Sequence, residues 1–168
     1  MTHPGPMPIH RATVKREWLD YNGHMNDANY LMVCGFALDL FMEHVGLGEA
    51  ARKEHGMSLY TLQAHLSYMR ELREGDAIRV ETRVLDFDDK RVVLYYEIFR
   101  EKDAADAGPV AACETMNLHV DMRGPKSARF LTPTMSRIDA LAQDAKRLPP
   151  AKYAGRPIVI PRRTSSPV

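Results

Sequence analysis

The sequence predicts an α+β domain in which one antiparallel sheet wraps around a long apolar helix. Residues 30–42 are apolar on almost every side, with Asp39 as their one charge. A helix of this kind must be enclosed by protein on most sides, and a curved sheet would enclose it. Four segments with period-two alternation follow, and turn residues separate them. One helix followed by a meander of four strands, in which each strand pairs with the next, favours the α+β class with one antiparallel sheet.

The first elements are read from caps and alternation. Residues 11–18 alternate and predict a first strand. A polar turn occupies residues 20–26, and a helix is expected from Asp27 to about Val45. Asn26 is a suitable N-cap, because its side-chain oxygen can accept from a free N–H of the first turn. Gly46 marks the end of this helix.

The remaining elements are strands and one surface helix. Strands are predicted at residues 59–72, 77–85, 91–100 and 111–121. Residues 136–147 predict the surface helix, with Ser136 as its cap. Residues 1–150 therefore form a single domain of ordinary size. Residues 151–168 form a Pro- and Arg-rich tail, in which residues 162–168 are expected to be mobile.

Composition and charge exclude several classes of function. The 168 residues carry a formal charge of +1, which gives no global attraction to nucleic acid or to an anionic membrane. The first residues contain no basic stretch followed by an apolar run, so the sequence predicts no secretory signal. The apolar run at residues 30–42 is too short to span a bilayer. The two cysteines, Cys34 and Cys113, are expected to be buried thiols. We expect a soluble cytoplasmic protein.

The turn before the long helix carries the best candidate site. Asp20, Asn22 and His24 place an acid, an amide and an imidazole beside the helix N-terminus, where backbone N–H groups favour negative charge. The sequence contains neither H-E-x-x-H nor a Cys/His cluster. It also lacks the glycine-rich phosphate-binding motifs. We therefore expect no metal and no redox cofactor.

The motif Asp20-Tyr-Asn22-Gly-His24-Met-Asn26, followed by Tyr30 and the apolar helix, resembles the active-site loop of hot-dog-fold thioesterases. These include 4-hydroxybenzoyl-CoA thioesterase-like and plant acyl-ACP thioesterase-like enzymes. Other stretches between residues 62 and 121 resemble a bacterial acyl-CoA thioesterase group that contains betainyl-CoA thioesterases. The resemblance covers roughly residues 10–145. It implies a hot-dog fold and hydrolysis of an acyl-CoA thioester to free acid and CoA.

The resemblance also implies roles for four catalytic candidates. Asp20 would act as general base or as nucleophile, and the sequence leaves both open. Asn22 would position water or orient Asp20. His24 would orient the carbonyl group or move protons. In the acyl-ACP branch a further catalytic glutamate follows the long second strand, and Glu71 matches it.

Substrate binding is expected from four other residues, Asn26, Tyr30, Gln63 and His65. Members of the bacterial group often carry an acid where Gln63 stands, so the acyl group stays open: betainyl, short, long or aromatic. The resemblance implies a homodimer or homotetramer with sites between subunits, and CoA enters only as part of the substrate. Two alternatives remain, namely a non-catalytic acyl-CoA-binding hot-dog module and a hot-dog hydratase or dehydratase.

Overall fold

The computed structural model describes residues 7–160, so the expected mobility of residues 162–168 lies outside the described part. The helices are α1 (Asp27–Val45), α2 (Glu49–His55) and α3 (Thr132–Ala145). The strands are β1 (His10–Thr13), β2 (Met57–Tyr68), β3 (Ala77–Phe87), β4 (Arg91–Arg100), β5 (Ala111–Asp121) and β6 (Lys126–Ser127). The predicted α+β class is confirmed, with every pair of strands antiparallel.

The strand order places β2 at one edge of the sheet. The order is β1-β3-β4-β5-β2, and β6 pairs with the end of β5. The prediction of strands running in simple sequence order was therefore wrong for β2, which pairs with β5 and not with β3. Residues 60–64 of β2 are all exposed, although successive side chains of a strand point to opposite faces. Both faces and the outer edge of β2 are thus uncovered at this point.

Helix α1 begins and ends as predicted. The Asn26 side chain accepts from the N–H of Ala28 at 3.0 Å, and Gly46 ends the helix in the left-handed conformation. The side of α1 that carries Val33, Phe41 and Val45 is fully buried against the sheet. The opposite side is open, however, and Leu31 and Phe36 are 40% and 41% exposed. The predicted enclosure on most sides is therefore wrong for the single chain.

Other boundaries also differ from the sequence prediction, and β2 ends at Tyr68 instead of at residue 72. The first strand ends at Thr13, and a 3-10 helix occupies Arg16–Trp18, where a strand was expected. Helix α3 begins at Thr132 with Pro133 in its first turn, so Ser136 lies inside the helix and does not cap it. Proline is favoured in the first turn because the N–H that it lacks has no helical partner there.

After α3 the chain crosses the outer face of the sheet, which is the face away from α1. Arg83 donates to the carbonyl of Pro149 at 2.7 Å, and the N–H of Gly155 donates to Glu114 at 2.6 Å. We call residues 148–160 the C-terminal segment. Within residues 7–160 no single helix has the length and apolar character to cross a membrane; α1 and α2 reach those limits only together, across a bend of 63°.

Candidate active site

The loop between the 3-10 helix and α1 is a tight hairpin closed by Asp20. The N–H of Asp20 donates to the carbonyl of His24 at 2.8 Å, and Leu19 pairs with Met25. Gly23 has φ +76°, a conformation that costs other residues free energy, and its N–H donates to the carbonyl of Asp20. The loop is tied to the connection between β2 and β3 because the N–H of Met25 donates to the carbonyl of Leu72.

The carboxylate of Asp20 is oriented by this loop. Its Oδ1 accepts from the N–H of Asn22 at 2.8 Å and from the N–H of His24 at 3.4 Å. The side-chain amide of Asn22 lies 3.5 Å from Oδ2. Desolvation would raise the pKa of Asp20, but these hydrogen bonds outweigh it and hold that pKa below its ordinary value. The group is therefore ionised at neutral pH and available as a base or nucleophile.

The structure brings His24 and Glu71 together from opposite ends of the site. His24 Nε2 lies 3.3 Å from Glu71 Oε1, and Arg73 Nη2 donates to the same oxygen at 2.9 Å. The hydrogen bond from Arg73 lowers the pKa of Glu71, as does the nearby imidazole. An ionised carboxylate at this distance fixes the ring of His24 and favours its Nε2 as a donor.

A cavity of about 780 Å³ opens between the hairpin loop, the first turn of α1 and the end of β2. Three carboxylates and three tyrosines contribute to its wall: Asp20, Asp27, Glu71, Tyr21, Tyr30 and Tyr68. Tyr30 is buried, and its ring meets that of Tyr68 edge-on at 5.3 Å. The hydroxyl of Tyr68 donates to the carbonyl of Asp27 at 3.2 Å, which joins β2 to the start of α1. We call this space the loop cavity.

The structure separates the predicted substrate-binding residues into two places. Asn26 and Tyr30 line the loop cavity. Gln63 and His65 lie on the outer face of the sheet and line a different cavity with Glu114 and Ile158. Gln63 and His65 therefore do not line the loop cavity of their own subunit, and their contact with substrate stays a prediction.

Sequence reasoning missed Asp27 and the role of Arg73. Asp27 was assigned only as the start of the helix, although an acidic residue after an N-cap beside a candidate site could have drawn attention to it. Arg73 fixes Glu71 from two positions further along the chain, and no sequence pattern reports such a contact. Among residues 7–160 no group of three or more His, Cys, Asp or Glu side chains is placed to hold a metal ion.

Comparison with known proteins decides the family. The model of the thioesterase-like superfamily matches residues 14–151. The chain belongs to the thioesterase-like superfamily. A betainyl-CoA thioesterase of Pseudomonas aeruginosa is 38% identical over 92% of this chain and 96% of its own length. An L-carnitine dehydrogenase/betainyl-CoA thioesterase of Agrobacterium fabrum is 37% identical over 96% of this chain, which corresponds to 32% of that longer protein.

Solved structures agree with this assignment to the thioesterase-like superfamily. A Pseudomonas putida protein assigned as a thioesterase superimposes with a TM-score of 0.79 at 35% identity, over 94% of this chain and 99% of its own. A Staphylococcus aureus protein solved in complex with CoA gives 0.84 at 25% identity, over 96% and 99%. The predicted hot-dog fold is confirmed, and so is the prediction of a thioester hydrolase.

Proposed function

We propose that this member of the thioesterase-like superfamily hydrolyses an acyl-CoA to the free acid and CoA, with Asp20 as general base or nucleophile. The observation that carries the proposal is the placement of an ionised Asp20 at the wall of the loop cavity, beside the first turn of α1. The positive end of the α1 dipole favours the negative charge that develops on a thioester carbonyl oxygen. We further propose that the reaction takes place in the cytoplasm and needs no metal or other cofactor.

Two routes use the same carboxylate. As a general base, Asp20 accepts a proton from water while the water oxygen attacks the carbonyl carbon; the C–S bond then breaks, and the CoA sulfur leaves with the bonding electrons and takes up a proton. As a nucleophile, an oxygen of Asp20 attacks and expels CoA, and water hydrolyses the resulting anhydride. In both routes His24, held through Nε2 by Glu71, would present Nδ1 to the reacting groups, where it could orient the substrate or move a proton.

The test of Asp20 is its conversion to the isosteric amide. Asp20→Asn keeps an oxygen that can accept from the N–H groups of Asn22 and His24, so the loop should survive. We expect kcat for acyl-CoA, followed as thiol release, to fall at least about a hundredfold. Asp139→Asn, an exposed change on α3, is the matched control and should leave the rate unchanged. Full activity of Asp20→Asn would refute the proposed role.

The same measurement separates the alternatives. A folded wild-type protein that binds acyl-CoA without releasing thiol would be the non-catalytic binding module. Addition of water to an enoyl-CoA, with no thiol release, would indicate the hydratase.

For the acyl group we propose a short cationic acid such as betaine. The loop cavity supports this because its three carboxylates and three tyrosine rings suit a trimethylammonium group. The cation of Arg70, which also contributes to the wall, is engaged by Asp103 and by the carbonyl of Gly108. The enzymes from Pseudomonas aeruginosa and Agrobacterium fabrum, whose names include betainyl-CoA, support the same choice. Gln63 lies outside this cavity, so its amide does not oppose a cationic substrate there.

A pair of isosteric substrates tests directly whether the site selects for a positive charge on the acyl group. Betainyl-CoA and 3,3-dimethylbutanoyl-CoA have the same shape and differ only in a quaternary nitrogen or carbon. We expect kcat/KM to favour the betainyl ester by about two- to fivefold, since a cation–π contact at an exposed site contributes about 0.5–1 kcal/mol and Tyr21 and Tyr68 are exposed. Asp27→Asn should reduce this preference. Equal kcat/KM for the two esters would exclude a cation-selective site.

We also propose that the enzyme works as a homo-oligomer built on a dimer, with β2 pairing to β2 of a second subunit and sites between the subunits. Support comes from β2, whose outer edge has no strand partner among residues 7–160 and whose residues 60–64 are exposed on both faces. The open apolar side of α1, with Leu31 and Phe36, is a second surface that a partner would cover.

Sedimentation velocity tests this arrangement. A lysine on an edge strand discourages pairing, so Leu62→Lys should produce monomers and reduce thiol release. Leu131→Lys, at an exposed leucine before α3, is the control and should sediment as wild type. A wild-type monomer with full activity would contradict the proposal.

A further inference from the structure

The C-terminal segment crosses the outer face of the sheet along one row of paired residues. Arg83 on β3 pairs with Tyr95 on β4, Tyr95 with Glu114 on β5, and Glu114 with His65 on β2. These side chains share the outer face because directly paired residues of antiparallel strands point the same way. The row therefore leads from the interior of the sheet to its free edge.

The segment contacts the members of this row in order. Pro149 accepts from Arg83 at 2.7 Å, and the N–H of Tyr153 lies 3.4 Å from the hydroxyl of Tyr95. The N–H of Gly155 then donates to Glu114 at 2.6 Å. Ile158 lines a cavity of about 540 Å³ together with His65. Each step along the segment thus moves one strand closer to the edge formed by β2.

These contacts make the start of the segment a fixed element. Tyr95 is 1% exposed, and the ion pair between Arg83 and Glu97 is largely covered, with 15% and 14% of the side chains exposed. Tyr95 also donates to Glu97 at 3.2 Å, so the tyrosine and the ion pair form one network under the segment. The direction in which the segment leaves the sheet is therefore set by buried polar contacts.

The segment ends in an uncovered apolar run at the free edge. Ile158, Val159 and Ile160 are 91%, 68% and 83% exposed, although isoleucine and valine are among the residues most often buried. On the strand beside them, Tyr60 and Leu62 are 45% and 51% exposed. Ile158 lies next to β2, because it lines a cavity together with Gln63 and His65. Uncovered apolar side chains therefore occur both on the segment, which continues from Ile158, and on β2.

We infer that Ile158–Ile160 packs on the outer face of β2 of a second copy of this chain, near that copy's Tyr60 and Leu62. The inference rests on the proposed dimer, because pairing of the two β2 strands continues the row of outer-face residues into the partner. Two-fold symmetry then buries both apolar runs at once, each subunit giving one segment and receiving another. The partner is identified by this continuity and by the apolar character of both surfaces.

Cross-linking between two variants, each with one added cysteine, tests whether the segment packs on the second copy. The full chain with Ile160→Cys is mixed with the full chain carrying Leu62→Cys, subunits are allowed to exchange, and the mixture is oxidised with oxidised glutathione. We expect a covalent dimer that contains one chain of each kind, identified by mass spectrometry. The natural cysteines, Cys34 and Cys113, are 1% exposed, so oxidised wild type serves as background.

The same experiment includes a matched control and an outcome that would overturn the inference. Leu148→Cys lies at the β3 end of the segment, is 52% exposed, and should form no covalent dimer with Leu62→Cys. In the double variant Leu62→Cys/Ile160→Cys, a disulfide within one chain would show that the run returns to its own subunit, and would overturn the inference. Absence of mixed cross-links from a dimeric wild type would overturn it as well.

Self-association provides an independent measurement. The variant Ile158→Ser/Val159→Ser/Ile160→Ser changes only exposed side chains, so folding should be unaffected. We expect its dimer dissociation constant to rise at least about tenfold, since apolar surface at the interface is lost. If wild type is dimeric and active while this variant associates equally well, only the inference about the segment fails. If wild type is an active monomer, the proposed dimer fails, and this inference fails with it.

Discussion

At the scale of single residues, the chemistry of the site depends on Asp20 being held by its own loop. Its carboxylate accepts hydrogen bonds from the backbone N–H groups of Asn22 and His24, which are two further polar residues of the motif. The spacing D-x-N-x-H therefore has a physical meaning: the intervening turn folds back so that residues two and four positions ahead donate to the acid. Asn22 thus serves both the turn and the orientation of the carboxylate.

The lowered pKa of Asp20 has a measurable consequence for pH dependence. If ionised Asp20 is required, kcat/KM is lost as pH falls through its pKa, which lies below the ordinary value of 3.8. We expect the acid limb due to this group below pH 3.8, with folding followed in parallel by circular dichroism. A single acid limb centred above pH 5 would mean that another group acts as the base.

His24 and Glu71 should act as a pair. Their contact at 3.3 Å implies that Glu71→Gln lowers kcat mainly through His24, about tenfold. The double variant with His24→Asn should then lose little more activity than the worse single variant, because a coupled pair is non-additive. Thiol release from the two single variants and the double variant completes the cycle. Strictly additive losses would show that the two side chains act independently.

Sequence reasoning identified the acid, amide and imidazole of the loop, and the family resemblance added Glu71. It could not place Gln63 and His65, because alternation along a strand separates two faces without telling which one meets the helix. Nor could it find the contact between Arg73 and Glu71, since long side chains in the connection between two strands have many allowed positions. These details depend on tertiary packing.

At the scale of elements, α1 is stabilised mainly by the one side that faces the sheet. Phe41 is fully buried there, so Phe41→Ala should lower the free energy of unfolding by about 3–5 kcal/mol, through lost burial and the cavity left behind. Urea unfolding monitored by circular dichroism measures this change. Leu131→Ala, at a 44% exposed position, is the control and should cost less than about 1 kcal/mol.

Sequence patterns predicted most helices and strands but not which strands pair with one another. Alternation and turn residues placed β3, β4 and β5 to within a few residues. They could not show that β2 pairs with β5, because pairing between distant segments is decided by the whole sheet. The first strand was predicted too long since alternation continues to Trp18, whereas pairing with β3 ends where Thr13 meets Ala77.

At the scale of the whole molecule, two aspartates held by nearby arginines tie stability to pH. Asp88, beside Arg91, and Asp121, beside Arg123, both have a pKa of about 2, against an ordinary 3.8. The guanidinium hydrogen bonds are the largest cause in each case. A lowered pKa gives stability that is complete above the unfolded-state value and lost as pH falls towards the folded-state value.

The expected window for this loss is therefore between pH 4 and pH 2. The double variant Asp88→Asn/Asp121→Asn should show a shallower decline of the unfolding free energy in that window than wild type. The arginine of each pair is solvent-exposed, so the difference should be small and should shrink further in high salt. Chemical unfolding at a series of pH values provides the measurement, and parallel curves for the two proteins would contradict the prediction.

The position of β2 also affects how the chain folds while it is being synthesised. Tyr68 leaves the ribosome well before Ala111, the residue with which it pairs, and Met57 must wait still longer for Asp121. Non-local pairing of this kind slows folding, because the intervening chain must be closed into a loop first. During that interval β2 and the apolar α1 are both without their partners, so this part of the nascent chain is where chaperone binding should concentrate.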